Sequence, residues 1–140
     1  MADNTSGHRS LPHTADLRLE AWAPTRAGCI RQAVLGVVAS FLDTSSAQPN
    51  RTHVRRLTAA RDDDLLVAVL DEVIYLVDTT CEAPVDLEVH DTDGGVDVSF
   101  AMAATGTLPQ VGAVPKAVSL NDLRFSHGHS GWRCLVTLDV

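Results

Sequence analysis

The stretch Val85-Asp86-Leu87-Glu88-Val89-His90-Asp91-Thr92-Asp93-Gly94-Gly95-Val96-Asp97-Val98-Ser99-Phe100-Ala101-Met102 decides the fold. Val85, Leu87 and Val89 alternate with Asp86, Glu88 and His90, and Val96, Val98, Phe100 and Met102 alternate with Asp97, Ser99 and Ala101. Successive side chains of a strand point to opposite faces, so each run reads as a strand with one apolar and one wet face. Residues 91–95 between them carry turn chemistry, which makes the pair an antiparallel hairpin.

The reading extends outward from that hairpin. Downstream, residues 117–125 read as a further strand and residues 127–131 as a turn. The last strand, 132–139, is apolar on both faces through Trp132, Cys134, Leu135, Val136 and Leu138, so a central place in a sheet is expected for it. Upstream, Leu17, Leu19 and Ala21 alternate with Arg18, Glu20 and Trp22. Pro24-Thr25 then breaks the strand and supplies an N-cap. Ile30, Val34, Val37, Val38 and Phe41 recur at helical spacing, which predicts a helix from 25 to about 42. Gly28 and Gly36 each lower its intrinsic propensity by roughly 1 kcal/mol relative to Ala, so tertiary packing must hold it. A loop over 43–50 and a strand over 52–58 follow. Asp62-Asp63-Asp64 suits the positive end of a helix dipole and precedes a second apolar stripe of Leu66, Val69, Leu70, Val73, Leu76 and Val77, ending near Asp78. The order β-α-β-α-β-β-β-β predicts an α+β fold: a mostly antiparallel β-sheet with two α-helices packed on one face, in a single domain. Residues 1–10 are expected to be a disordered tail before a domain over 11–140.

Length and composition bound the function. The chain has 140 residues, enough for one core without disulfide or metal staples. Eleven Lys and Arg against 18 Asp and Glu give a net charge of −7, which argues against direct nucleic-acid binding and for a basic partner or a cation. No apolar run approaches the roughly 20 residues that span a bilayer, so no membrane association is expected. The opening residues have no signal-peptide core, and Cys29, Cys81 and Cys134 form neither a CxxC pair nor a disulfide framework. They read as reduced, mostly buried thiols of a cytoplasmic protein.

Phosphate-binding glycine loops and GxSxG nucleophile elbows are absent. His127-Gly128-His129 lacks further ligands at metal spacing and reads as a solvated turn. Carboxylates offer more. Asp16 enters the first recognised strand and Asp139 leaves the last, next to Val140 and its α-carboxylate. If those strands are antiparallel neighbours, the three groups converge. Two like charges about 4 Å apart repel by roughly 4 kcal/mol at an effective dielectric of about 20, so such a cluster takes up protons or a cation. Hard oxygen donors select calcium, magnesium or manganese over zinc. On spacing alone the simpler reading keeps Asp16 as a turn cap and Asp139 as a terminal residue.

Four blocks alter that balance. His13-Thr14-Ala15-Asp16, the helix Leu65-Leu66-Val67-Ala68-Val69-Leu70-Asp71-Glu72-Val73-Ile74-Tyr75-Leu76, Lys116-Ala117-Val118-Ser119, and the terminal Gly131-Trp132-Arg133 through Leu138-Asp139-Val140 stand in the order found in archeases. The chain resembles the archease family from about Leu11 to its last residue, with Val69 and Asp71 replacing the family's usual Trp and Asn. The resemblance implies a non-catalytic activator of the GTP-dependent RtcB-type RNA ligase, which joins 3′-phosphate or cyclic-phosphate RNA ends to 5′-hydroxyl ends in tRNA splicing and RNA repair. It implies faster guanylylation of that ligase and multiple turnover. It also implies a metal site at Asp16, Asp139 and Val140, holding a divalent cation, calcium first and magnesium or manganese otherwise. Lys116 and His13 would belong to the partner-binding surface. The competing readings are a metal-dependent hydrolase and a generic chaperone or adaptor for tRNA-processing enzymes.

Overall fold

A computed structural model describes residues 5–11 and 16–140. The chain runs β1 (Gly7–Leu11), β2 (Asp16–Ala23), α1 (Arg26–Ala39), β3 (Arg51–Thr58), α2 (Asp62–Thr80), β4 (Glu82–Thr92), β5 (Gly95–Ala104), a short 3-10 turn at Thr105–Thr107, β6 (Ala117–Gly128) and β7 (Gly131–Asp139). The expected alternation of helices and strands is present, preceded by one extra strand. Residues 7–10, assigned above to a disordered tail, pair in β1 with β2 from Gly7↔Trp22 to Leu11↔Arg18. Polar Arg9 and Ser10 hide this strand from a hydrophobicity reading, and its backbone pairing is what holds it.

The α+β class holds, with seven antiparallel strands and two α-helices among the described residues. The strands divide into two sheets rather than one, ordered β1-β2-β7-β6 and β3-β5-β4. Alternation reports which face of a strand is dry but not which strand lies beside it, so the division is invisible in one sequence. Helix α1 packs on β1, β2 and β7 of the first sheet and on β4 of the second; α2 packs on β6 and on β3 and β4. Each sheet therefore turns its dry face to the helices. Leu19, Ala21 and Ala23 of β2, and Val96, Val98, Phe100 and Met102 of β5, are buried there.

Both helix starts follow from local chemistry. The Thr25 hydroxyl accepts a hydrogen bond from the Gly28 N–H at 3.0 Å, an N-cap for α1. Asp62, Asp63 and Asp64 occupy the first turn of α2. Asp62 also binds Arg26 at 2.8 Å, and Asp63 takes Arg61 at 3.1 Å, so this acidic run is spent on the helix end and on ion pairs. Helix α2 stops where Cys81 turns into the left-handed region at φ 55°.

The glycines that weaken α1 have packing reasons. A Cβ on Gly36 would stand 2.7 Å from Leu19 Cδ1 and 3.0 Å from His8 Cβ, so its absence lets β1 and β2 close onto the helix.

Candidate functional site

Strand β7 lies between β2 and β6, the central place expected of it. Its register brings the two chosen carboxylates together: Asp16, first residue of β2, is the direct partner of Asp139, last residue of β7. Across β7's other edge Ala117 pairs with Asp139, and the Lys116 N–H donates to the Asp139 carbonyl at 2.7 Å. One short end of the first sheet thus carries Asp16, Asp139 and Lys116 on three adjacent strands or their extensions, with Val140 immediately following. Asp16 is partly buried, while Lys116, Asp139 and Val140 are exposed. Directly opposed residues of an antiparallel pair have Cβ atoms about 4.5–5.5 Å apart, and like charges there repel.

The donor chemistry at this end is hard oxygen, which suits a divalent cation of the calcium or magnesium type and not zinc. Among the described residues, no group of three or more His, Cys, Asp and Glu side chains is placed to hold a metal ion. A cation held here would need oxygen donors beyond the two Asp side chains. His13 lies outside the described residues.

Next to Lys116 the surface opens into a cleft of about 640 Å³ between α2 and the segment leading into β6. Asp71, Tyr75 and Asp78 of α2 line one side, and Val114, Pro115 and Lys116 the other. Tyr75 is 60% exposed despite its apolar surroundings in sequence. Burial raises the Asp71 carboxyl above the usual Asp value. The reading of α2 by its apolar stripe missed this face, although Asp71, Tyr75 and Asp78 fall at i, i+4 and i+7 and so share one side of a helix.

The remaining candidates resolve as structure. His129 is exposed in the β6–β7 hairpin turn, and His127 stacks on Trp132 with ring centroids 4.6 Å apart. Cys29 and Cys134 are buried and free, while Cys81 is free and exposed. The hydrogen bond that the Cys134 thiol donates to the Cys29 sulfur, and then burial, push the Cys134 thiol far above its ordinary range, which keeps it protonated.

Two antiparallel sheets closed around two helices, with paired strand-end carboxylates beside a lysine, define a small α+β protein by class. The comparisons assign the family. A sequence model described as the "Archease protein family (MTH1598/TM1083)" matches residues 8–140. A probable archease of Mycobacterium tuberculosis (strain H37Rv is one of its sources) is 74% identical over 136 residues, covering 97% of this chain and 76% of that protein. The solution structure of protein 1598 from Methanobacterium thermoautotrophicum superposes with a TM-score of 0.77 at 19% identity, over 96% of this chain and 99% of that one. A crystal structure from Thermotoga maritima, described as an archease and possible chaperone, gives a TM-score of 0.67 at 15% identity, over 94% and 96% of the two chains. The chain belongs to the archease family.

Proposed function

We propose that this archease is a non-catalytic, divalent-cation-binding activator of an RtcB-type, GTP-dependent RNA ligase. The observation that carries the reading is the Asp16↔Asp139 pairing at the sheet end where Lys116 is tied to the Asp139 carbonyl. Asp16, Asp139 and the Val140 carboxylate would hold the cation, calcium first and magnesium or manganese otherwise. A cation there would neutralise the carboxylates and present positive charge to phosphate oxygens. Lys116 adds a mobile point charge beside it, suited to a phosphate or an acidic ligase group. The neighbouring cleft offers Tyr75 and Val114 as apolar contacts for the ligase. Holding the ligase in its nucleotide-charged conformation requires only about 1.4 kcal/mol of differential binding per tenfold gain.

Two features support a role as accessory rather than enzyme. The core thiols are buried and the exposed histidine pair stands at a hairpin tip, away from the carboxylates along β7. The deciding experiment measures ligation with limiting ligase and excess RNA bearing 3′-phosphate and 5′-hydroxyl ends. Wild type should restore multiple turnover, and Asp16→Ala and Asp139→Ala should not. Stimulation by both variants equal to wild type refutes the site. Robust phosphodiester or ester hydrolysis by the isolated protein, with magnesium or manganese, would favour the hydrolase reading instead.

A further inference from the structure

The net charge of −7 is unevenly spread. In the sheet β1-β2-β7-β6, the residues facing away from the helices form cross-strand rows fixed by register. One row is Leu11–Arg18–Thr137–Ser119, the next Arg9–Glu20–Leu135–Arg124, and the last Gly7–Trp22–Arg133–Ser126. Four of the chain's arginines therefore share one outer face with Glu20 as the acid among these rows. Asp16 and Asp139 close the same face at its far end, and Asp122 stands in the irregular stretch of β6 beyond Ser119. The patch cannot be seen in composition, because each arginine comes from a different strand.

Its side chains are pre-arranged. Trp22 lies over β1 where a Cβ on Gly7 would come 2.7 Å from its indole. The Arg9 and Arg133 guanidinium carbons stand 5.2 and 5.5 Å from that ring's centroid. Glu20 accepts from Arg9 Nε at 2.8 Å and pairs with Arg133 at 3.2 Å, so one carboxylate holds two guanidinium groups on the indole while leaving them 60% and 54% exposed. Arg18 Nε is buried with no hydrogen-bond partner among the described residues. Guanidinium groups match phosphate oxygens bidentately, and Arg stacked on an aromatic ring is already ordered.

We infer that this sheet face binds the phosphate backbone of single-stranded RNA chiefly through the exposed Arg9, Arg124 and Arg133, with Arg18 behind them. By register Arg9 and Arg18, and Arg124 and Arg133, are diagonal neighbours on adjacent strands, about 7–8 Å apart, a spacing that successive phosphates of a flexible single strand can match. A single strand is favoured over a duplex because the face is a flat platform with an aromatic residue, not a groove-reading helix. The binding is sequence-independent, and it needs no cation and no ligase. It is separate from the activator reading, so either can fail alone.

Fluorescence anisotropy with a labelled oligouridylate tests it, using the full chain and no added divalent metal. With about three phosphate contacts, raising salt from about 50 to about 200 mM should weaken wild-type binding about 20-fold. Arg124→Gln/Arg133→Gln should lose at least about tenfold in affinity, and its salt effect should fall to about threefold. Arg55→Gln/Arg56→Gln removes the same two charges from β3 on the other sheet and should bind within about twofold of wild type. Circular dichroism melts confirm that each variant is folded, and Arg124→Gln alone serves if the double variant is not. Absence of binding at low salt overturns the inference. So does an equal loss in the β3 variant, or tighter binding of polyglutamate than of the RNA.

Discussion

Asp16 and Asp139 face each other directly across the ladder between β2 and β7. Nothing in their chain separation requires this; the pairing of the first long strand with the last one creates it. Two like charges so placed repel, and on the proposed function a cation bound there would relieve that repulsion.

Calcium or manganese should therefore stabilise the protein. At about a hundred times Kd, binding to the native state alone adds about 2.7 kcal/mol, which should raise Tm by about 5–10 °C. Differential scanning calorimetry with added metal, and again after chelator, reads the shift. Asp139→Asn should abolish most of it, and residues appended after Val140 should blunt it. An unchanged shift in both proteins would exclude this end of the sheet as the site.

The tight seat of α1 on β1 and β2 makes Gly36 sensitive. Gly36→Ala improves helix propensity by about 1 kcal/mol but drives a methyl into Leu19 and His8, with a cost of about 1–3 kcal/mol. Net destabilisation is the expected outcome in urea unfolding. Stabilisation would mean that the helix can move off the sheet at little cost.

Thiol chemistry should divide the cysteines one against two. Cys81 is exposed, whereas Cys29 and Cys134 are buried. An aromatic disulfide reagent should titrate one thiol quickly in the native protein and all three after denaturation. Rapid loss of all three under native conditions would show that the α1–β7 contact opens readily.

Stability should also depend on pH with a definite sign. Burial lowers the His8 pKa below its ordinary 6.5, so the unfolded chain binds more protons there. This contribution is complete above pH 6.5 and is lost as pH falls toward the folded value. Asp86 behaves as a depressed carboxylate, held below the ordinary 3.8 first by its hydrogen bond to Arg31 and then by the Leu87 N–H. Its contribution is present above pH 3.8 and is lost as pH falls through the folded value. Thermal melts should show Tm falling as pH drops below 6.5, with a shallower fall in His8→Gln. An unaltered slope in that variant would remove His8 as the cause.

How far the sequence could be read depended on the range of the physics. The hairpin of β4 and β5 was legible because alternation and a turn are local. So were the capped start of α1 at Thr25 and the acidic start of α2. The carboxylate pair was legible as a conditional, since both residues sit at strand ends and only strand adjacency was missing. Strand β1 was not legible, because Arg9 and Ser10 give it no apolar rhythm. The α2 cleft was obscured because Tyr75 sits in an apolar run yet projects outward.

Taken alone, the sequence determined the strand and helix periods, the faces to be buried, and the four motif blocks that mark an archease. Each depends on neighbours within a turn or two of backbone, where sterics and burial act residue by residue. Only the tertiary structure decided that the strands split into two sheets, that Asp16 meets Asp139, and that four arginines from four strands share one face. Those are matters of register between distant segments, and register is set by how the whole core packs rather than by any one segment's composition.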